Sequence, residues 1–284
     1  MPLFALVSPT LLGGCAALSH GFMAAAGPVA AQQRELFWIV APVLAFVVGP
    51  VLILVPLIAW HYRLSNKGDA YRPNWNFSWT LEGFIWIPPA LIVIGLAVLL
   101  WSYTKRLDPY RVLPGATPLD VQVVASDWKW LFVYPNSGLA SVNRLVIPAG
   151  RPVRLTMTSN TVMQSLMIPR LTGQIYVMAG MKTQLNFQAN RPGNFRGANM
   201  QYNGNGFPQQ SFDVVAVNPS QFRNWLAGSA RMAPTFDAHV RGLLAERSTV
   251  ADEPVYAHVP GGFFASIVAA NGGAAHAGAN GRSQ

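Results

Sequence analysis

Two long stretches near the N-terminal end of the chain consist almost entirely of apolar residues. Residues 36–60 carry no charge, and residues 81–103 carry a single one, Glu82. Each stretch exceeds the roughly 20 apolar residues that are needed to cross a hydrocarbon core. Tryptophans lie near their ends, as aromatic residues at membrane interfaces do. This pattern predicts a hairpin of two transmembrane helices.

Between residues 118 and 218 the pattern changes to short β-prone runs, several of which alternate between apolar and polar residues. Pro, Gly and Asn separate these runs every roughly 8–15 residues, which is typical of an all-β sandwich or barrel. After Pro219 apolar residues return at helical spacing, which predicts a C-terminal helical extension. From residue 269 the chain is rich in Ala and Gly, and we expect disorder there.

The first residues, MPLFALVSPTLLGGC, are apolar and end in small residues, as a secretory signal peptide does, although they lack a basic start. LGGC resembles a bacterial lipobox, which would make Cys15 the lipidated first residue of the mature chain. A chance cysteine in an apolar leader is the alternative. Because Lys and Arg are nearly balanced between the loops, the exported N-terminus sets the predicted orientation.

The predicted organisation follows from these patterns. It consists of a lipoprotein-type signal peptide (1–14), an N-terminal periplasmic segment (15–35), transmembrane helices (36–60 and 81–103) joined by a cytoplasmic loop (61–80), a periplasmic β domain (118–218), a C-terminal helical arm (219–268) and a disordered tail (269–284).

Composition and charge agree with a membrane protein and exclude some partners. The chain is 51% hydrophobic and only 11% charged, whereas soluble domains carry about 25% charged residues. Residues 118–218 contain eight basic and three acidic side chains, which leaves a net charge of +5. A basic surface repels a basic electron carrier such as cytochrome c. Nucleic acid is the other usual partner of a basic surface, but an exported, membrane-anchored domain is not expected to meet it.

The β domain contains neither His nor Cys, since the five histidines and the single cysteine all lie outside residues 118–218. Soft and borderline metals require thiolate or imidazole ligands, so a copper or zinc site within this domain is nearly excluded. A Ser–His or Cys–His nucleophile is excluded there for the same reason. The loop RGANMQYNGNGFPQQ (196–210) nevertheless has the spacing of a metal-binding loop.

Three further residues are candidates for function. Glu82 is an ionisable residue in a membrane segment, which is a functional hypothesis by default, although a carboxylate in a first helical turn also stabilises the helix dipole. Trp128 and Trp130 are predicted on one face of a strand, where packing in a core or interface and a redox role are the alternatives.

The order of these parts resembles subunit II of the haem–copper terminal oxidases. The resemblance is carried by ASDWKWLFVYP and SNTVMQSLMIPRLTGQIYVMAGMKTQLNFQANRPGNFRGAN and covers most of the chain. It is closest to the quinol-oxidising branch, the bo-type ubiquinol oxidases. It implies a membrane α-helical hairpin, then an all-β cupredoxin-like Greek-key sandwich, then a C-terminal helical extension.

In the cytochrome c oxidases of this family, the cupredoxin domain holds the dinuclear CuA centre. The six positions of its ligands fall here on residues that are not the family's ligands: Gln164, Asn199, Gln201, Asn203, Phe207 and Gln210. The resemblance therefore implies no cofactor in this chain and no cytochrome c. Electrons would enter from ubiquinol at subunit I, which would hold two haems and CuB. Glycines of the loop (197, 204 and 206) are expected to supply turns with positive φ.

The resemblance also implies a location and partners. The expected location is a bacterial inner membrane, and the expected partners are subunit I, subunits III and IV, membrane lipid and ubiquinol. It places Glu82 at the mouth of a proton-uptake channel whose other residues are in subunit I. The alternative function is a lipid-anchored, metal-free binding or assembly protein with a cupredoxin fold. A true CuA subunit is opposed by the missing ligands.

Overall fold

The computed structural model describes residues 21–63, 65, 76–250 and 253–280, without the side chains of 273–280. The chain divides into two compact units, of which one is Arg34–Asp108 and the other contains the remaining described residues. The predicted signal peptide with Cys15, and most of the predicted cytoplasmic loop, lie outside the described residues.

Two long helices account for the apolar stretches. Helix α1 spans Pro28–His61 with 34 residues, and helix α2 spans Trp79–Arg106 with 28 residues. Both are long and apolar enough to cross a membrane. Helix α1 begins at Pro28, eight residues before the predicted start at Leu36. Proline is favourable at the first position of a helix, because the amide hydrogen that it lacks would have no partner within the helix there. Three internal prolines of α1 and two of α2 remain within continuous helix.

Eleven strands among the described residues form two sheets. The first sheet has the order β11-β3-β2-β1-β5-β8, and the second has the order β4-β10-β9-β6-β7. The pairs β1–β5 and β4–β10 are parallel, and the other pairs are antiparallel. The strands are β1 (Leu119–Ser126), β2 (Lys129–Tyr134), β3 (Leu139–Val142), β4 (Arg144–Pro148), β5 (Val153–Ser159), β6 (Gln164–Met167), β7 (Gln174–Val177), β8 (Thr183–Phe187), β9 (Gly193–Asn199), β10 (Ser211–Val217) and β11 (Val255–Tyr256).

The main core lies between the two sheets. Alternate residues of β2 point into it, and Trp130 and Phe132 both place their rings against Phe212 of the other sheet, at centroid distances of 5.5 and 5.1 Å. Tyr134 is also buried there; its hydroxyl donates to the Val146 carbonyl and accepts from the Val146 amide. Aromatic pairs of this kind stabilise a core by about 0.5–1.5 kcal/mol beyond the burial of their area.

The outer face of the first sheet is covered by the later part of the C-terminal arm, whereas the first helix of the arm packs Phe222 into the main core. The arm contains helix α3 (Pro219–Met232), helix α4 (Ala238–Ala245), strand β11 and helix α5 (Phe263–Asn280). A second apolar cluster forms between Leu131 and Val133 of β2 and residues of the arm such as Leu244 and Phe264. Strand β2 is therefore buried on both faces, which explains why its sequence, KWLFVY, shows no strict apolar–polar alternation.

Two sequence predictions about this unit differ from the structure. Disorder was expected from residue 269, whereas α5 continues through Asn280. Alanine has the highest helix propensity, and the first half of α5 is held by packing of Phe264 against the sheet. Strand β11 was not expected in a helical arm; it pairs with the edge strand β3.

Lys129 is the buried cation that ties the arm to the sheet. Its ammonium donates to the carbonyl oxygens of Leu243 (3.0 Å) and Glu246 (2.7 Å) and to the hydroxyl of Ser248 (3.0 Å). The carbonyl groups at a helix C-terminus favour a cation. Burial lowers the pKa of Lys129 from its usual value, and the carboxylates of Glu246 and Asp127 partly oppose this shift.

Replacement of Lys129 by Met is expected to loosen the arm. The substitution leaves two carbonyl oxygens without their donor, which costs about 2 kcal/mol of unfolding free energy. Thermal unfolding and limited proteolysis of the full chain in detergent would measure the loss, with cleavage expected first in the arm. Lys182→Met, at an exposed position, is the matched control. Equal protease resistance of both variants would contradict a fastening role for Lys129.

Candidate functional site: an amide network in the frame of a metal loop

Three connecting segments meet at one end of the sandwich. They are the turn between β1 and β2, the segment that leads into β6, and the loop from β9 to β10. Gln164 is the first residue of β6, Asn199 is the last residue of β9, and Gln210 directly precedes β10. Strand pairing between β6 and β9 and between β9 and β10 sets the spacing of these three positions. The sheet therefore fixes the backbone frame of the site.

Four neutral amide side chains converge within this frame. Gln210 is central: its Oε1 accepts from Nδ2 of Asn199 (2.9 Å) and from Nδ2 of Asn203 (2.7 Å), and its Nε2 donates to Oε1 of Gln164. All four residues are buried. Buried polar groups are stable only when they are hydrogen-bonded, and neutral amides achieve this among themselves without charge repulsion.

The network continues into the main chain. Oδ1 of Asn199 accepts from the amides of Ser165 (2.9 Å) and Gln201 (3.0 Å), and its Nδ2 also donates to the Gln201 carbonyl (2.8 Å). The carbonyl oxygen of Ser126 accepts from Nε2 of both Gln164 (3.1 Å) and Gln210 (3.2 Å). These bonds link the loop to the β1–β2 turn on the opposite sheet.

The structure brings together four of the six positions that the resemblance assigns to CuA ligands. Gln164, Asn199, Asn203 and Gln210 share the network described above. Gln201 contacts it through main-chain atoms. Phe207 starts a 3-10 turn, and its half-buried ring packs edge-on against Tyr202, with centroids 5.7 Å apart. The Phe207 side chain thus makes an aromatic surface contact where the family's metal loop has a ligand.

The donor set does not fit a copper centre. Copper sites are built from thiolate, imidazole and thioether ligands, and neutral amides are poor substitutes for them. All four amide nitrogens and three of the four amide oxygens of the network are also engaged in hydrogen bonds, and only Oδ1 of Asn203 has no partner in the described part of the chain. Among the residues that the structure describes, no three His, Cys, Asp or Glu side chains come close enough to hold a metal ion. No step of the chemistry is therefore assigned to a metal in this domain.

In the loop between β9 and β10, glycine is required mainly because neighbouring side chains leave no space for a Cβ atom, and less because of the backbone conformation. Only Gly204 has the expected positive φ, +113°, whereas Gly206 has φ −87° and Gly197 lies within β9. A Cβ atom on Gly206 would overlap the ring of Trp128, and one on Gly197 would overlap the ring of Phe212. The prediction of positive φ is thus wrong for two of the three glycines, because neighbouring rings set their requirement.

Trp128 does not share a strand face with Trp130, contrary to the sequence prediction. Trp130 lies in β2 and in the core, whereas Trp128 occupies the two-residue turn between β1 and β2 with a left-handed φ of 63°. The ring of Trp128 lies between Gly206 and Arg247 of the arm, whose guanidinium carbon is 6.0 Å from the ring centroid. Arg247 also pairs with Asp127 at 2.9 Å. The arm and the amide loop therefore meet at Trp128.

Glu82 lies in the other unit, in the first turn of α2. Its amide donates to the carbonyl of Ser78 (3.0 Å), which precedes the helix. Its carboxylate oxygen Oε2 accepts from Nε1 of Trp86, one turn later, at 2.8 Å. The carboxylate therefore contacts the second turn of α2 through Trp86.

Two groups that take part in these contacts were not predicted from the sequence. The Ser126 carbonyl gave no signal, because any residue type supplies a main-chain oxygen. Trp86 did give one: it lies four residues after Glu82, at the spacing that places two side chains on one helix face.

Comparisons with known proteins agree with this architecture. The family model described as "Cytochrome C oxidase subunit II, periplasmic domain" matches residues 133–215. A solved structure, the periplasmic domain of subunit II of cytochrome oxidase of Bradyrhizobium japonicum, covers 42% of this chain and 98% of its own, at 20% identity and a TM-score of 0.39, too low to bear on the assignment. The predicted fold class, two apolar helices followed by a cupredoxin-like sandwich and a helical extension, is confirmed.

Relatives that match over most of their length identify the branch. The chain is 43% identical to the "Cytochrome bo(3) ubiquinol oxidase subunit 2" of Pseudomonas putida over 218 residues, which cover 76% of this chain and 68% of the relative. It is 39% identical to the "Ubiquinol oxidase subunit 2" of Acetobacter aceti over 269 residues, or 93% and 86% of the two chains. Identity at this level over most of both chains establishes kinship, and the chain belongs to the family of subunit II of the quinol oxidases, which are terminal oxidoreductase complexes.

Proposed function

We propose that this chain is the non-redox subunit of a proton-pumping ubiquinol oxidase in a bacterial inner membrane. Its hairpin anchors the cupredoxin-like domain on the periplasmic side and supports subunit I. Subunit I oxidises quinol and reduces oxygen to water at its two haems and CuB. The sandwich itself carries no electrons, and α2 contributes a proton-conducting residue at the cytoplasmic side.

The observation that carries this proposal is the buried amide network. Gln164, Asn199, Asn203 and Gln210 stand at the positions that the resemblance assigns to CuA ligands, and their side chains are hydrogen-bonded to one another. A subunit that receives electrons from cytochrome c needs a metal relay at this place. A subunit of a quinol oxidase does not, because quinol is dissolved in the membrane and reaches subunit I directly.

Surface charge also supports quinol, and not cytochrome c, as the electron donor. The sandwich carries eight basic and three acidic side chains between residues 118 and 218. Two of the three acidic groups already pair with arginines, Asp120 with Arg154 (3.5 Å) and Asp127 with Arg247 (2.9 Å). The acidic side chains are too few to form a docking surface for a basic protein, since complementary charge is what steers such encounters.

Glu82 is the residue of this chain that we place in the proton path. It is the single charge within residues 81–103. An exported N-terminus puts the start of α2 on the cytoplasmic side, where proton uptake begins. The Glu82 carboxylate accepts and releases protons there and passes them to groups of subunit I.

The proposed partners are subunit I foremost, then subunits III and IV, membrane lipid and ubiquinol. A lipid attached to Cys15 would hold the exported N-terminus at the membrane surface. Both Cys15 and the preceding signal peptide lie outside the described residues, and mass spectrometry of the purified subunit tests the modification directly.

Purification of the native complex tests the proposal as a whole. We expect a stoichiometric complex with a haem–copper subunit that contains two haems and the CuB copper but no further copper. Oxygen uptake should proceed with ubiquinol as donor and stay at background with reduced cytochrome c. Efficient oxidation of cytochrome c would refute the proposal. Recovery of the chain without a haem–copper subunit would instead favour the metal-free binding or assembly protein.

A further inference from the structure

Glu82, in the first turn of α2, could either cap the helix N-terminus or bond to another side chain. A carboxylate in a first helical turn can turn back to the free amide groups of the helix N-terminus, which is a structural role. The observed bond goes the other way, because Oε2 of Glu82 accepts from Nε1 of Trp86 in the next turn at 2.8 Å. The Ser78 side chain forms no capping bond either. The Glu82 carboxylate is therefore held by an indole and not used as a cap.

The indole is suited to this purpose. A tryptophan N–H is only a donor, so it fixes a carboxylate without competing for the proton that the carboxylate carries. Side chains on a helix lean towards its N-terminus, which brings the Trp86 ring back over Glu82. The bond uses Oε2 and leaves Oε1 for proton transfer. Trp86 is 70% exposed, so packing against other residues of this chain does not explain the position of its ring.

The backbone that follows the Trp86–Glu82 bond is weakened by prolines, so the bond helps to fix the carboxylate. Pro88 and Pro89 lie two and three residues after Trp86 within α2. Each proline lacks an amide hydrogen, so the helix loses two main-chain hydrogen bonds at this point. Helices bend most readily where these bonds are missing. A side-chain bond between the first and second turns keeps the Glu82 carboxylate in one place although the backbone behind it is weakened.

We propose that Trp86 is a positioning residue for proton uptake, whose indole N–H holds the Glu82 carboxylate in the orientation from which it passes protons to subunit I. This inference rests on the proposed role of Glu82. It assigns to Trp86 a function that does not involve contact with quinol, haem or oxygen. Misplacement of a reacting group by even a small distance lowers the rate of transfer.

A double-mutant cycle in the purified oxidase complex tests the inference. Trp86→Phe keeps an aromatic ring and removes the N–H donor. We expect kcat for quinol-driven oxygen uptake to fall between about twofold and tenfold, the factor that one net hydrogen bond supplies, with KM for quinol unchanged. Trp86→Phe combined with Glu82→Gln should be no slower than Glu82→Gln alone, because residues that act through one contact are not additive.

Controls and contrary results separate the two proposals. Trp101→Phe is the matched control, since Trp101 is an exposed tryptophan near the other end of α2 and should leave kcat unchanged. A slow Glu82→Gln variant beside a normal Trp86→Phe variant, or additive effects in the double variant, would overturn only the role of Trp86. A normal Glu82→Gln variant would overturn the role of Glu82 and with it that of Trp86. If Trp86→Phe yields no complex, Trp86→Leu, which also lacks the donor, takes its place in the cycle.

Discussion

Replacement of Glu82 by Gln is expected to slow oxidase turnover by roughly 100-fold, the lower end of the range that a positioned acid–base group contributes. Glutamine has nearly the same shape and still accepts the bond from Nε1 of Trp86, whose observed length is 2.8 Å. It cannot bind and release a proton at neutral pH. Proton uptake should therefore fall together with oxygen consumption, while haem content and subunit composition stay normal.

Stopped-flow measurement of proton uptake in the reconstituted complex checks this expectation. Glu35→Gln is the matched control: Glu35 is a carboxylate on α1 that accepts a hydrogen bond from Tyr103 of α2, and glutamine can still accept that bond. Glu82→Asp, which retains a titratable group one carbon shorter, should recover part of the rate. Wild-type turnover in the Glu82→Gln complex would remove Glu82 from the proton path.

Restoration of the family's ligands should turn the amide network into a copper site. The six changes are Gln164→His, Asn199→Cys, Gln201→Glu, Asn203→Cys, Phe207→His and Gln210→Met. Asn199 and Asn203 already donate to one atom of Gln210, at 2.9 and 2.7 Å, so their cysteine replacements start close together. We expect two bound coppers per complex in addition to CuB, and a purple colour, measured by metal analysis and visible absorption of the complex.

The hardest of these changes is Phe207→His, because the Phe207 ring contacts Tyr202 at the surface and has to turn inward as histidine. A control variant with Ser in place of both new cysteines should bind no dinuclear copper, since thiolates are the ligands that select it. A folded variant with all six ligands that takes up no copper would show that the loop has lost the backbone frame of the metal site.

The membrane hairpin and the sandwich could be predicted from local sequence because their signals are repetitive. Uninterrupted apolar runs of more than 20 residues have few alternatives to a membrane helix, and β-prone runs between Pro, Gly and Asn set the strands. The ends were less predictable. Helix α1 begins at Pro28 and α5 continues to Asn280, since helix propensity and packing extend elements beyond their most apolar parts.

Trp128 illustrates a limit of the same reasoning. The alternation in DWKW places both tryptophans on one strand face, but a two-residue turn at Asp127–Trp128 ends the first strand there. The left-handed conformation of Trp128 is stabilised by its surroundings, the backbone of Gly206 on one side and Arg247 on the other. Neither neighbour is close in sequence, so no local pattern could reveal the turn.

The sequence by itself determined which chemistry this domain is unable to perform, because the absence of His and Cys from residues 118–218 is a property of composition alone. It also determined that Glu82 is a lone charge in an apolar segment. Only the tertiary structure decided that four amides bond to one another at the ligand positions, that Lys129 is buried beneath the arm, and that Trp86 holds Glu82. Each of these depends on distances between side-chain atoms, and such distances are set by strand pairing, packing and rotamers.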